Sequence, residues 1–555
     1  MATASTNTSP SDGRRVPRTA ALVHASLIFV ATALVLALTM TRNIGVYDEG
    51  VILTGAMRVA AGDILHADFY ANYGPGQFYL LAALFKLFGT SAIIERIYDT
   101  LVRAAIVALC YGIVAGVAPR LVALAAAGTS FLWLFAVGLY GYPLIPVTLL
   151  SLAAASLVQP LLVGRFSSRR LMWAGAALGL STLIRYDVGP VVFVALAIAL
   201  ALSSALRSTA KGAAFREART SLAWFTLGAA VVFLPVAALY LAVAPLERFI
   251  YDIFYFSIPN YARMRSLPFP GIGAILGSFD KMGVYVPVLA CATAAWSFFA
   301  DRIRPQDRRD WIIVTFALIT LTLYSKGLVR VSTAHLMASI LASIVVVAAL
   351  VGRVAAQGRG LRIAVTIVVT LSVASALTAA ATTAAQRVAE RTTVLAKILA
   401  VIESGQAAWC PTPPELRNIN CLLLDPDREQ AARLVASHTA PGERIFVGLT
   451  RHDKIFMNDI AMYFATNRMP ATRWHHFDSG LQTRADIQAE MIAELQAHDV
   501  RYVVLESTWD WIGEPNGSAR SSDVHLLDEY IRKRYRTVET FGEISVLLRN
   551  PAAPD

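Results

Sequence analysis

The sequence predicts a polytopic α-helical membrane protein of about eleven spans, followed by a soluble α/β domain at the C-terminus. Three observations predict it. Of the 555 residues, 56% are hydrophobic and 16% charged, against about 25% charged in an ordinary soluble protein. The apolar residues fall in blocks of roughly 15 to 23, the length of a helix that crosses a hydrocarbon core of about 30 Å. After about residue 385 these blocks give way to ordinary mixed polarity. The ten-residue alternation of a membrane barrel is missing.

The formal charge of +11 is spread over short loops between apolar blocks and forms no single basic face. It therefore reads as membrane topology, and nucleic acid is not an expected partner. Cys110 and Cys291 lie inside apolar blocks and read as packing residues. Only Cys410 and Cys421 could form a disulfide, and only on an oxidising side of the membrane.

The elements follow in order. Residues 1–19 form a polar tail with Arg14, Arg15 and Arg18, and the apolar run 20–41 is too long for a signal-peptide core. It reads as a retained first span with a cytoplasmic N-terminus. Further spans are expected near 97–118, 121–138, 145–163, 171–184, 188–206, 222–244, 283–299, 311–325, 335–352 and 363–384. Residues 77–88 are apolar but too short, and carry Lys86; this segment reads as interfacial or re-entrant.

Basic clusters assign the sides. Arg165, Arg169 and Arg170; Arg207, Lys211, Arg216 and Arg219; Arg302, Arg304, Arg308 and Arg309; and Arg353, Arg359 and Arg362 mark cytoplasmic loops. An odd number of spans then places residues 385–555 outside the cytoplasm. The loops 42–96, 139–144, 185–187, 245–282 and 326–334 lie on that same outer side, in the cell inner (plasma) membrane. No internal repeat of a two-halved transporter is visible.

The first outer loop carries the most specific signal. Tyr47-Asp48-Glu49-Gly50 is followed by an amphipathic stretch (Val51, Leu53, Met57, Val59, Ala60) and then by His66-Ala67-Asp68-Phe69-Tyr70-Ala71-Asn72-Tyr73-Gly74-Pro75-Gly76. Adjacent carboxylates at a membrane surface are costly to desolvate unless they are paired, liganded or used for proton transfer. Spacing alone also allows Asp48 to cap a helix beginning near Gly50, with Glu49 supporting its first turn.

Together, the acidic pair after the first span, the amphipathic outer helix, the Asn72–Gly76 stretch and the short apolar helix resemble the GT-C superfamily of membrane glycosyltransferases. More narrowly, they resemble the family 39-like group of protein O-mannosyltransferases and lipid A aminoarabinose transferases. The resemblance covers about residues 20–350, and its specific part is confined to 47–90. It implies a GT-C-like membrane domain over 20–384 and a sugar donor carried on a polyprenyl phosphate. It also implies a catalytic acidic residue in this loop: Asp48 as the base, with Glu49 beside it orienting acceptor or donor. His66, Asp68, Asn72 and Tyr73 are the candidate substrate contacts.

A carboxylate suits the task, because an acceptor hydroxyl must lose its proton as it attacks the anomeric carbon. The leaving phosphate needs cationic or metal stabilisation. A divalent metal ion is thus a candidate cofactor, with no ligand set marked by spacing. Arg185, Lys326 and Arg330 are the candidate phosphate ligands, because outer-side cations run against the positive-inside bias. Arg185 pairing with Asp187, and Lys326 and Arg330 reaching lipid headgroups, is the competing account. His335 reads as packing. The loop 245–282, with Tyr251, Phe254, Tyr255, Phe256, Tyr261, Arg263 and Arg265, reads as an interfacial aromatic belt that could also cover the lipid donor.

In the tail, 444–449, 501–506 and 544–549 read as strands and 428–438 and 486–498 as helices, which suggests a small α/β domain. His475 and His476 read as an exposed loop pair, and Trp474, Trp509 and Trp511 as packing residues. The expected function is an inverting glycosyltransferase that moves one sugar from a polyprenyl-phosphate donor to an extracytoplasmic glycan, lipid or protein, with membrane lipids around it. The alternative is a transporter or flippase of lipid-linked saccharides, which would place its charges in mid-span along a path.

Overall fold

The computed structural model describes residues 18–208, 210–299, 305–354, 358–404 and 413–551. Arg14, Arg15, Arg302, Arg304 and Cys410 lie outside the described residues.

The first helix, α1 (Arg18–Thr39), is followed by the short helices α2 (Asp48–Ala61) and α3 (Pro75–Phe88). Next come α4 (Ala92–Ala115), α5 (Arg120–Ala136), α6 (Leu144–Leu162), α7 (Ser168–Ile184), α8 (Gly189–Arg207) and α9 (Lys211–Val243). A run of short helices follows: α10 (Leu246–Ile250), α11 (Ser257–Arg265) and α12 (Ile272–Gly277). The bundle closes with α13 (Val286–Phe299), α14 (Arg308–Gly327), α15 (Met337–Val354) and α16 (Arg359–Glu390).

Each of the eleven expected spans coincides with one of these helices. Seven of them (α1, α4, α6, α8, α9, α15 and α16) are long and apolar enough to cross a membrane, and the chain is a multi-pass membrane protein. The 14-residue α3 is not among them, in keeping with its short apolar run. Helix α9 starts eleven residues before the expected span at 222, because its polar first turns continue the helix, where Arg207 pairs with Glu217 at 2.5 Å.

The C-terminal part contains α17 (Val394–Ser404), α18 (Pro426–His438), β1 (Arg444–Leu449), α19 (Ala461–Thr466), β2 (Met469–Pro470), α20 (Ala485–Ala497), β3 (Tyr502–Glu506), α21 (Leu526–Arg534), β4 (Tyr535–Phe541) and β5 (Ile544–Arg549). The sheet order is β2-β1-β3-β5-β4, with β1 parallel to both β2 and β3 and the last two pairings antiparallel. Strands β1 and β3 are nearly continuous apolar runs, as a parallel pair covered on both faces requires.

This domain sits directly on the loop between α1 and α4. The backbone N–H groups of Ile460 and Ala461 both donate to the Val46 carbonyl at 3.0 Å. A β-carbon at Gly50 would lie 2.6 Å from the Ala461 nitrogen, so only glycine lets α2 approach α19 this closely. Gly74 has the same role on the other side. A β-carbon there would lie 2.4 Å from the Leu183 carbonyl oxygen. The Gly74-Pro75-Gly76 stretch thereby presses the loop against the α7–α8 turn, which carries Arg185.

Candidate functional site

Helix α2 begins at Asp48, and no side chain caps it. The capping account of Asp48 is therefore corrected: its carboxylate makes no hydrogen bond or ion pair among the described residues, although it is largely enclosed. Burial pushes its pKa up, Arg265 and Arg330 draw it back down, and Asp478 adds a like charge.

Glu49 is the opposite case. Its two oxygens accept from Arg96 Nε at 2.5 Å and Arg96 Nη2 at 2.8 Å, and Oε2 also accepts from the Gly45 N–H at 2.6 Å. Both residues are buried. Arg96 also donates to the carbonyls of Thr41 and Asn43 and lies 3.7 Å from the Tyr140 ring centroid. Glu49 therefore clamps the start of the loop to α4, with both oxygens engaged.

The expected cations converge near Asp48. Arg185 makes a bidentate pair with Asp187 at 2.9 and 2.8 Å, and Lys326 reaches the same carboxylate at 2.7 Å. Burial alone would raise Asp187, but the two cations hold it far below the usual carboxylate range. The Arg185 guanidinium also lies 5.3 Å from the Tyr73 ring centroid. Arg330 pairs with Glu514, and one of its nitrogens donates to the Arg265 carbonyl at 2.8 Å.

His335 reports the sum of these charges. It is pushed down to about 3, first by burial and then by Arg330, Lys326, Arg185 and Arg265 together. Four cations thus act on one place. Of the carboxylates paired with them, Asp187 is shared by two, and Glu514 belongs to Arg330 alone.

Three residues of this cluster are absent from the expected phosphate and substrate contacts. Arg265, in α11, is buried with its Nε unpartnered, and it donates from Nη1 to the Phe456 carbonyl at 2.9 Å. It lies, like Arg185, in a loop expected on the outer side, so the same charge argument could have singled it out. Tyr142, in the α5–α6 loop, feels both Arg185 and Asp48. Asp478, from the C-terminal domain, accepts from the Tyr70 hydroxyl at 2.8 Å and from Asn72 Nδ2 at 3.2 Å. Nothing local in the sequence marks it.

Other expected contacts are placed differently. Asp68 closes a local turn by accepting from the Ile64 N–H at 2.7 Å. His66 is fully buried, its Nδ1 lies 2.9 Å from Asp252, and its ring meets Tyr240 and Phe249 edge to face. These contacts give both residues architectural partners. Asn72 and Tyr73 stay with the cluster. His475 and His476, expected to be exposed, are both buried. The reason is docking: His476 Nε2 lies 3.2 Å from the Tyr47 hydroxyl, which itself donates to the Phe477 carbonyl at 2.7 Å.

Asp453, His525 and Asp528 each offer one ligand atom, all within 4.8 Å of one another. One imidazole and two carboxylates form a donor set compatible with a divalent cation. Arg451 already makes two hydrogen bonds to Asp453, at 2.8 and 2.6 Å, and opposes a second positive charge there.

No protein-family model and no curated protein sequence matches the chain. Its fold does match solved structures. The crystal structure of ArnT from Cupriavidus metallidurans bound to undecaprenyl phosphate superposes with a TM-score of 0.54 at 13% identity, over 96% of this chain and 99% of that one. The apo form gives a TM-score of 0.54 at 14% identity over the same shares. The GT-C-like fold expected from the first loop is thus the fold observed.

Proposed function

We propose, from the fold shared with ArnT and the cluster at Asp48, that this chain is a glycosyltransferase that moves one sugar from a polyprenyl-phosphate donor to an acceptor hydroxyl on a glycan, lipid or protein. One observation carries the proposal: a largely enclosed carboxylate without a bonding partner among the described residues lies in the field of Arg265 and Arg330, which act together with Arg185 and Lys326 on the neighbouring His335.

In this reading Asp48 takes the acceptor proton as the acceptor oxygen attacks the anomeric carbon. The bond from that carbon to the phosphate oxygen breaks, and its electron pair leaves with the polyprenyl phosphate. Arg185, Arg265, Lys326 and Arg330 stabilise the charge that develops on the phosphate. Single displacement inverts the anomeric centre. Tyr73 and Asn72 line the acceptor side, and Glu49 holds the loop without touching substrate. A divalent cation at Asp453, His525 and Asp528 would serve the C-terminal domain.

Purified protein given a polyprenyl-phosphate sugar and acceptor is expected to release one polyprenyl phosphate per sugar transferred. Movement of the intact lipid-linked sugar across a vesicle membrane, with no release, would establish the transporter instead. Lys326→Ala is expected to raise the donor KM roughly tenfold to a hundredfold, since a charge-assisted hydrogen bond contributes about 1.5–3 kcal/mol. An unchanged KM in both Lys326→Ala and Arg185→Ala would leave these residues as structural partners of Asp187.

We further propose that the cluster faces the outer side of the cell inner membrane, with the N-terminus in the cytoplasm and residues 385–555 outside. The loops that contribute Asp48, Tyr142, Arg185, Arg265 and Lys326 are those that charge bias assigns to one side. Reporter fusions after Arg216 and after Gly442 are expected to give cytoplasmic and outer signals respectively. The same signal from both would reject this orientation.

A further inference from the structure

At the end of the bundle away from Asp48, α1, α4 and α6 enclose a cavity of about 1470 Å³. Ala25 and Phe29 of α1, Ala108 and Gly112 of α4 and Leu157 of α6 line its walls, and its mouth carries Arg165, Arg170, Arg308 and Arg309. The cavity exists because α4 is small-sided here: a β-carbon at Gly112 would meet nothing within 4 Å. From Ala21 to Val30 it follows α1 for about 14 Å, close to the roughly 15 Å depth of one hydrocarbon leaflet.

The mouth is chemically unlike the walls. The side chains of Arg165 and Arg170 have no hydrogen-bond or ion-pair partner among the described residues, and the Arg308 guanidinium lies over Gly116, 3.0 Å from where a β-carbon would stand. Arg309 is engaged with the carbonyls of Val117 and Gly352. Among the described residues the one carboxylate at the mouth is Asp307, which accepts from the Asp310 N–H as the cap of α14. An apolar channel one leaflet deep with a positive mouth is complementary to a molecule that has an anionic head and an apolar chain.

We infer that this cavity binds an anionic phospholipid, its phosphate at Arg165 and Arg170 and an acyl chain along α1, α4 and α6. The lipid occupies the space between α1 and α6 beside the α1–α4 contact, at a place separate from the cluster at Asp48.

Native mass spectrometry of the full chain in detergent tests this, with dioleoyl phosphatidylglycerol and dioleoyl phosphatidylcholine as probes. The parent is expected to retain one phosphatidylglycerol about tenfold or more in preference to phosphatidylcholine, since each cation near an anionic surface contributes about 1 kcal/mol. Arg165→Ala combined with Arg170→Ala should abolish that preference, and Gly112→Trp should displace the lipid by filling its channel. Soluble glycerol phosphate should not compete. Equal retention of the two lipids by the parent overturns the inference. So does unchanged phosphatidylglycerol retention in the double arginine variant, whose positions at the cavity mouth leave the bundle packing intact. Displacement by glycerol phosphate, or a dimer that Gly112→Trp dissociates, overturns it as well.

Discussion

Asp48→Asn is expected to leave the protein folded and inserted while lowering sugar transfer about a hundredfold or more, the usual scale for a lost general base. The structure separates the two effects. Asp48 caps no helix and bonds to no neighbour among the described residues, so an isosteric amide removes none of the described hydrogen bonds. Burial raises its pKa, and this determines the sign of the stability effect. A carboxyl with a folded pKa above its unfolded value contributes stability below the unfolded pKa and loses it as pH rises through the folded pKa. At neutral pH the charged form is thus a small liability that Asn removes, and the variant's melting temperature in detergent should equal or exceed the parent's.

The same shift moves the acid limb of the pH–rate profile upward from that of an exposed carboxylate, and Asp48→Asn should abolish that limb. Glu49→Gln should keep the limb unchanged. A purified Asp48→Asn protein that transfers sugar at the parent rate would remove the catalytic assignment and leave the fold as described.

Glu49→Ala is expected to act in the opposite manner, by destabilising the protein. Arg96 is fully buried, and Glu49 is its bidentate partner. Removing one member of a buried ion pair leaves an uncompensated charge and costs about 3–5 kcal/mol. The residual hydrogen bonds from Arg96 to Thr41 and Asn43 carry no charge, and the second carboxylate, Glu95, lies at a longer 3.9 Å from Arg96 Nε and offsets only part of the loss. The loss should appear as a large fall in melting temperature, with activity falling in step because the loop that presents Asp48 is released. Replacing both partners by apolar residues, Glu49→Leu with Arg96→Met, should recover much of the stability, since the isolated charge is then gone. If Glu49→Ala melts like the parent, the pair does not hold the loop.

The contrast between these neighbours is the part of the site that sequence could not resolve. Asp48 and Glu49 are chemically alike and adjacent, and the local pattern allows either to cap, pair or react. Their difference comes from Arg96, 47 residues away, which engages one and not the other. Arg265 was visible as an outer cation but unassigned, because the positive-inside bias does not say which outer cations converge. Asp478 and the buried pair His475 and His476 had no local signal at all. Their surroundings are created when Phe477 meets Tyr47 across 430 residues of chain.

The sequence by itself determined the apolar helices, the strands at 444–449 and 544–549, and the set of loops in which to seek the chemistry. Helix burial in lipid and strand burial in a sheet depend on runs of apolar residues, which are local, and loop charge is equally local. Only the tertiary structure decided which carboxylate stays unpaired, which cations gather around it, and that the C-terminal domain closes over the first loop. Ion pairing and desolvation depend on distances between residues far apart in the chain, and those distances exist only once the helices and the sheet have packed.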